Sequence, residues 1–175
     1  MPIKPPELRV AALSRRDSRG WLALGVRRYR AALGRNGRRI LKREGDGATP
    51  VGSWRVIEVF FRPDRVKPPR TGLPIRQISP VDGWCDAPAD RNYNRRVQLP
   101  YPASAETLWR HDHLYDLVVV LDHNRRPRVR GGGSAIFIHI ARENYQPTEG
   151  CIALSAKDLS QVVRLLQLGA RIIVT

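Results

Sequence analysis

The sequence predicts a mainly β fold, a curved antiparallel sheet or two-sheet sandwich with one or two packed helices. Short apolar segments alternate with turns rich in Gly, Pro and Arg, which is typical of antiparallel strands. The clearest helical periodicity comes late in the chain, after Ser155. The length of 175 residues and the hydrophobic content of 42% suit a single domain over residues 1–175, of which we expect 1–7 to be flexible.

The first third of the chain is expected to form a three-stranded meander. Apolar alternation predicts strands over residues 8–13, 21–26 and 29–33, with polar turns between them. Residues 1–45 hold thirteen of the 31 Lys and Arg residues but three of the 16 Asp and Glu residues. Basic side chains on exposed strands discourage edge-to-edge pairing, which would explain part of this charge.

The middle of the chain is expected to be rich in loops. Residues 45–54 are predicted to form a loop whose glycines permit tight turns, and residues 55–61 a strand. The Pro-rich and Arg-rich residues 63–80 show little periodicity, so we expect a surface excursion that borders the functional cleft.

A polar loop with aromatic residues is predicted at 81–96. Its aromatic residues could cover apolar faces of a bound ligand, and Asp86 or Asn94 could orient polar groups. We take Tyr93 and Asn94 as candidate contacts. A surface loop with one buried Trp would have the same composition, so both interpretations stay open.

The second half of the chain carries the strongest strand signals. Residues 104–111 suggest a short helix capped by Ser104. The continuous apolar run 117–121 predicts a buried strand, and it should form a hairpin with the strand that carries His139.

The final helix is predicted to begin at Ser155 and to be followed by a last strand over 171–175. Ser155 is a good N-cap, and Asp158 lies near the positive end of the helix dipole. Gly169 ends the segment. The predicted apolar face consists of Leu159, Val162, Val163 and Leu166.

The net charge of +15 would attract a polyanion, whether nucleic acid, anionic lipid or a polymer rich in carboxylates, but a solvated basic surface explains it equally well. No apolar run approaches the ~20 residues of a membrane-spanning helix. Residues 1–20 have no uninterrupted apolar stretch, so we expect no secretory signal peptide. No Cys and His residues have the spacing of a structural zinc site.

Cys151 and His139 are the candidate catalytic residues. A thiol becomes a strong nucleophile when a neighbouring imidazole takes its proton, and the thiolate can then attack an acyl carbonyl. Gly150 would let a substrate approach the backbone, where N–H groups around Cys151 could bind an oxyanion. We expect the helix after Ser155 to lower the thiol pKa further.

Other interpretations of these residues have to be weighed. A lone Cys is often a small apolar core residue, and a His on an apolar strand is often structural. A disulfide between Cys85 and Cys151 would remove the nucleophile. A β domain that only binds polyanions is the non-catalytic alternative.

Two stretches of this sequence resemble the YkuD-type L,D-transpeptidases, cysteine enzymes that remodel peptidoglycan. One is His139 followed by a loop and Thr148-Glu149-Gly150-Cys151, and the other is Thr49-Pro50-Val51-Gly52-Ser53-Trp54 after a Gly-rich turn. The resemblance covers most of the chain. It implies the mainly β fold, catalysis by the Cys and His pair with a backbone carbonyl near Ile140 orienting the imidazole, stem peptides as partners, and no cofactor, metal or nucleic acid. We favour a monomer.

This sequence departs from the family pattern at two positions of the motif. Glu149 stands where the family usually has a second His, and Ala153 where it has Arg or Asn. A branch with an altered signature is associated with crosslinks from L-Ala to meso-diaminopimelate. Arg142 and Glu149 are our candidates for contacting the donor's charged groups. The resemblance implies the periplasm or cell envelope, with the cytoplasm as the alternative, and a carboxypeptidase or amidase could use the same site.

Overall fold

The structure is a computed structural model that describes residues 5–175. Residues 1–4, part of the segment that we expected to be flexible, lie outside the described residues. Glu7, at the end of that segment, is already the first residue of a strand and is paired with Arg171.

The described residues form fourteen strands, one α-helix and a 3₁₀ turn at Glu143–Tyr145. The helix α1 is Ala156–Leu165. In chain order the strands are β1 Glu7–Ala11, β2 Arg19–Leu24, β3 Arg27–Ala32, β4 Arg38–Arg39, β5 Thr49–Pro50, β6 Gly52–Phe61, β7 Ile75–Gln77, β8 Asp82–Cys85, β9 Arg95–Gln98, β10 Ala105–Thr107, β11 Leu117–Leu121, β12 Phe137–Ile140, β13 Ile152–Leu154 and β14 Arg171–Val174.

Nine strands form one large sheet, in which β7 adds to β6 and the other eight strands close into a ring. Their order is β11-β12-β13-β3-β2-β1-β14-β6, and β6 also pairs with β11. The predicted meander is confirmed as β1, β2 and β3, and the predicted hairpin as β11 and β12. Strands β1 and β2 have a neighbour on both sides, so edge protection does not explain their arginines, whereas β3 meets β13 only at Ala32 among the described residues, and edge protection remains an explanation for Arg27, Arg28 and Arg30.

The inner face of the large sheet encloses the main hydrophobic core. Apolar side chains from alternate strand positions, such as Leu8, Val119 and Ile138, are fully buried there. Helix α1 adds its apolar face to this core, as predicted. It begins where expected, since the Ser155 side chain accepts a hydrogen bond from the Asp158 N–H at 3.1 Å.

A small sheet with the order β10-β8-β9 packs against the outer face of the large sheet. Together they enclose a second core that includes Trp84, Leu108 and Phe137. The helix that we predicted over residues 104–111 is wrong, because Ala105–Thr107 pairs with β8 as a strand. The apolar residues that suggested the helix instead pack beneath the small sheet.

Two predicted loops also contain strands. Residues 45–54 include β5 and the start of β6, and residues 63–80 include β7, which pairs with β6. The excursion over residues 63–80 does not contribute to the cleft described below, so the prediction that it borders the site is wrong.

None of the helices in residues 5–175 combines the length and hydropathy that crossing a bilayer would require.

Candidate active site

Cys151 and His139 are brought together by two neighbouring parallel strands. Strand β12 pairs with β13 so that His139 lies opposite Ala153. Side chains alternate along a strand, and Cys151 is two positions before Ala153, so it projects from the same face of the sheet as His139. Both side chains line one cavity on the outer face of the large sheet, beside the small sheet.

The imidazole of His139 is held in one orientation. Its Nδ1 lies 2.8 Å from the carbonyl oxygen of Ile140, the partner that the family resemblance implied, so Nδ1 carries the proton and Nε2 is left as a base. The ring packs edge-on against Tyr115, with 5.4 Å between ring centroids. Burial lowers the pKa of His139 to about 4, so the imidazole is neutral at pH 7.

The thiol of Cys151 is tied to the segment that leads into β12. Its Sγ donates to the carbonyl oxygen of Ala135 at 3.1 Å and accepts from the Phe137 N–H at 3.4 Å. Burial, and to a smaller extent the nearby Glu106 carboxylate, raises the pKa of this thiol to about 12. Cys151 and Cys85 are both free cysteines.

Helix α1 does not begin beside the nucleophile. Strand β13 and the Ser155 cap separate Cys151 from the first turn of the helix, a distance of roughly 10 Å or more for an extended segment. The effect of a helix dipole fades within about the first turn. The prediction that this dipole lowers the thiol pKa is therefore wrong.

The backbone at Gly150 and Cys151 is fixed by two threonine hydroxyls. The carbonyl oxygen of Cys151 accepts from Thr148 Oγ1 at 2.6 Å and from Thr49 Oγ1 at 3.5 Å. The Gly150 N–H donates to Thr148 Oγ1 at 3.2 Å, so an oxyanion at this N–H would have to displace that bond. Thr49 and Thr148 belong to the two motif stretches, which meet here.

Gly150 is required by both conformation and space. Its φ is +135°, and a Cβ at this position would lie 2.8 Å from the carbonyl oxygen of Ala48. No larger residue fits without a shift of one of the two backbone segments.

The cavity has a volume of about 400 Å³ and is lined by both candidates for charged contacts. Arg142 and Glu149 are exposed at its margin. The Glu149 carboxylate is paired with the Arg35 guanidinium, so a substrate group that binds Glu149 competes with Arg35.

Tyr93 and Asn94, in contrast, lie behind the cavity wall and are buried. The Tyr93 hydroxyl donates to Glu44. The Asn94 Oδ1 accepts from the Trp84 Nε1–H at 3.0 Å and from the Ala135 N–H at 3.1 Å, and its amide donates to two loop carbonyls. Because its hydrogen bonds are made within the protein, Asn94 positions Ala135 and is not available to a ligand.

Several residues of the lining were not predicted from the sequence. Glu106 on β10 accepts from the Tyr115 hydroxyl at 2.6 Å, and burial raises the Glu106 pKa. The Arg110 guanidinium lies over the Tyr115 ring, 5.2 Å from its centroid. Glu44 supplies a further carboxylate, and so does Asp86, which belongs to the polar loop predicted at 81–96. Glu44, Glu106, Arg110 and Tyr115 belong to no motif, and the fold brings them to the cavity that Cys151 lines.

Comparison with known proteins identifies the family of the chain. The family model of the L,D-transpeptidase catalytic domain, YkuD, matches residues 10–174. No curated protein matches the chain significantly. Two similar solved structures are Mycobacterium tuberculosis L,D-transpeptidase 1, with 14% identity and a TM-score of 0.41, and an L,D-transpeptidase from Mycobacterium smegmatis, with 17% and 0.43.

Each of these two matches covers 97% of this chain, which spans 62% of the first structure and 59% of the second. The family model, in turn, extends over both motif stretches and over the strands that carry His139 and Cys151. The chain belongs to the YkuD family of L,D-transpeptidase catalytic domains.

Proposed function

We propose that this protein is a peptidoglycan L,D-transpeptidase that works through an acyl-enzyme on Cys151. The observation that carries the proposal is the placement of His139 on β12 and of Cys151 immediately before the adjacent parallel strand β13, facing one cavity, with His139 Nδ1 fixed by the Ile140 carbonyl. A neutral imidazole with a free Nε2 is the base that a thiol nucleophile needs.

The first step forms the acyl-enzyme. The thiol leaves the Ala135 carbonyl and transfers its proton to His139 Nε2 as sulfur attacks a carbonyl carbon of the donor stem peptide. Because the resting pair is neutral, this proton transfer is concerted with the attack. The resulting imidazolium then protonates the departing amine as the carbon–nitrogen bond breaks and a thioester remains.

The second step transfers the acyl group to an amine. The acceptor amine gives a proton to His139 as its nitrogen attacks the thioester, and the thiol regains a proton when it departs. The carboxylates of Glu44, Asp86 and Glu106 suit an incoming ammonium group. The acceptor that we propose is the side-chain amine of meso-diaminopimelate on another stem.

For the donor, we propose L-Ala at the first position of the stem. Glu149 and Ala153 depart from the usual family signature in the manner of the branch associated with that crosslink. Arg142, at the cavity margin, would pair with a donor carboxylate, and Glu149 with a donor amine once Arg35 releases it. We place the reaction in the cell envelope, where peptidoglycan lies.

Muropeptide analysis tests this function. Purified sacculi are incubated with wild-type protein, with Cys151→Ala and with the control Cys85→Ala, then digested and resolved by mass. We expect new crosslinked dimers from the wild type and the control but not from Cys151→Ala, with fragments that identify L-Ala as donor. Shortened monomers without dimers would indicate a hydrolase, and identical profiles for all samples would overturn the proposal.

A further inference from the structure

An arginine-rich surface covers the outer face of four strands of the large sheet. Cross-strand register places Arg28, Ala23, Arg9 and Ile173 in one row across β3, β2, β1 and β14. Paired residues project from the same face of a sheet. The intervening positions, such as Leu22 and Val10, are buried in the core, so these rows are directed outward.

The outward positions are strongly and unevenly charged. The acidic residue among them is Glu7, which pairs with Arg9 at 2.6 Å. Within these four strands the register places the arginines opposite uncharged residues or Glu7: Arg28 and Arg9 both pair with Ala23, and Arg171 pairs with Glu7. The arginine surface, as we call it, consists of the exposed residues Arg9, Arg19, Arg28, Arg30 and Arg171.

The fold explains only part of this charge. Strands β1, β2 and β14 are paired on both sides, so their arginines protect no edge, whereas β3 meets β13 only at Ala32 among the described residues and Arg28 and Arg30 lie beside an open edge. Arg28 and Arg30 interact with aromatic rings, at 5.9 Å from Trp21 and 4.6 Å from Tyr145, and not with carboxylates. Arg171 bonds the hydroxyl and carbonyl of Ser53. Guanidinium groups whose partners are aromatic rings or a serine remain available to external anions.

The arginine surface is continuous with the active-site cavity. Ala32 of β3 pairs with Ala153 of β13, on the face that also presents Cys151. Tyr145, which stacks on Arg30, belongs to the segment whose neighbours Arg142 and Gln146 line the cavity. A chain that crosses β3 at Arg30 can therefore reach the cavity along the outer face of the closed sheet.

We propose that the arginine surface is a docking site for an extended polymer that bears carboxylates. Arg binds carboxylates in a bidentate manner, and the half-buried Trp21 offers an apolar platform between the charges. Under the proposed function this polymer is peptidoglycan, and that identification rests on the proposed function. Large apolar residues that are fully exposed occur at turns such as Val26 and not within the rows, which favours a polymer over a lipid surface.

The test measures binding in a Cys151→Ala background, so that the result does not depend on turnover. The triple variant Arg9→Gln, Arg28→Gln and Arg171→Gln is compared with a control of equal charge change, Arg95→Gln, Lys157→Gln and Arg164→Gln, whose residues are exposed elsewhere. The probes are sacculi in a sedimentation assay and poly-L-glutamate in a fluorescence titration, with NaCl varied from about 50 to about 300 mM.

We expect the arginine triple variant to bind both probes at least about tenfold more weakly than its parent, with a shallower salt dependence, and the control to remain within about twofold. Equal weakening in the control would show that net charge alone is responsible and would overturn the docking site. Unchanged binding in the triple variant would overturn it as well.

Binding to phosphatidylglycerol vesicles shows whether the arginine surface recognises a lipid surface instead of a polymer that bears carboxylates. Vesicle binding that requires the three arginines, without binding of poly-L-glutamate, would replace the proposal with a lipid surface. The proposed function has its own test, and it fails if the wild-type protein makes no crosslinked dimers from sacculi. The docking site is decided by the binding measurements alone. If the arginine triple variant loses binding and the control does not, the docking site is supported whether or not the protein makes crosslinked dimers.

Discussion

The thiol of Cys151 donates a hydrogen bond to the carbonyl oxygen of Ala135, 3.1 Å away. Ala135 has a φ of +51°, in the left-handed region where a residue with a Cβ is strained. The Asn94 Oδ1 holds this conformation by accepting the Ala135 N–H. The neutral thiol is therefore hydrogen-bonded to a strained residue that a buried amide fixes in place.

This arrangement predicts slow alkylation of the free enzyme at neutral pH. Because burial raises the Cys151 pKa to about 12, the thiolate fraction at pH 7 is far below that of a model thiol with a pKa of about 8.5. The rate constant for iodoacetamide, followed by mass spectrometry from pH 6 to about pH 10, should rise through the whole range. A plateau below pH 7 would show that Cys151 is already ionised.

Removing the Asn94 side chain should both destabilise the protein and free the thiol. Asn94→Ala deletes three buried hydrogen bonds and one partly buried one, and we expect a loss of about 3 kcal/mol in the free energy of unfolding. Alkylation of Cys151 should become faster because Ala135 is no longer held. The control Asn36→Ala removes one exposed bond and should leave the alkylation rate as it is. An unchanged rate in Asn94→Ala would argue against the positioning role.

Gly150→Ala should impair folding and activity together. The new Cβ would lie 2.8 Å from the Ala48 carbonyl oxygen at a φ of +135°, and we expect a cost of about 2 kcal/mol or more. Gly25→Ala is a suitable control, because Gly25 has a φ of +59° and open space around it, so about 1 kcal/mol is expected. Equal denaturation midpoints for the two variants would mean that close packing at Gly150 does not matter.

Burial of His139 should make the protein less stable as the pH falls. Its folded-state pKa of about 4 lies below the unfolded value of about 6.5, so the unfolded state binds the proton first. The contribution is fully present above about pH 6.5 and is lost toward pH 4, with a limit on the order of 3 kcal/mol.

Urea denaturation of wild type and His139→Gln at several pH values measures this contribution. The variant should show a smaller loss of stability between about pH 6.5 and pH 4. The exposed Asn36 serves as the control site, and Asn36→Ala should lose stability in parallel with the wild type over this window because it replaces no ionisable group. Parallel curves for wild type and His139→Gln would contradict the buried, neutral imidazole.

Features with local signals in the sequence were predictable. Ser155 and Asp158 mark the start of α1 through a capping hydrogen bond between residues three positions apart. The continuous apolar run of β11 marks a strand buried on both faces. His139 and Cys151 could be predicted to lie close together because both belong to one motif. In the structure that motif is a strand, a short connecting segment and the neighbouring parallel strand.

Features set by pairing between distant segments were not predictable. The closure of the large sheet depends on β6 meeting β11, and no local pattern encodes it. Residues 104–111 have a helix-like cap and apolar spacing, but hydrogen bonding to β8 prevails over that local preference. Glu106 and Tyr115 reach the cavity through the same packing, so their roles had no signal in the sequence.

The most direct test of the account is intact-protein mass spectrometry of the enzyme mixed with a donor muropeptide in the absence of an acceptor amine. We predict a mass increase equal to the donor acyl group, located by digestion on the peptide that contains Cys151 and lost when an acceptor amine is added. Cys85→Ala should give the same adduct and Cys151→Ala none. An adduct that persists in Cys151→Ala, or crosslinked product formed by that variant, would contradict the central claim.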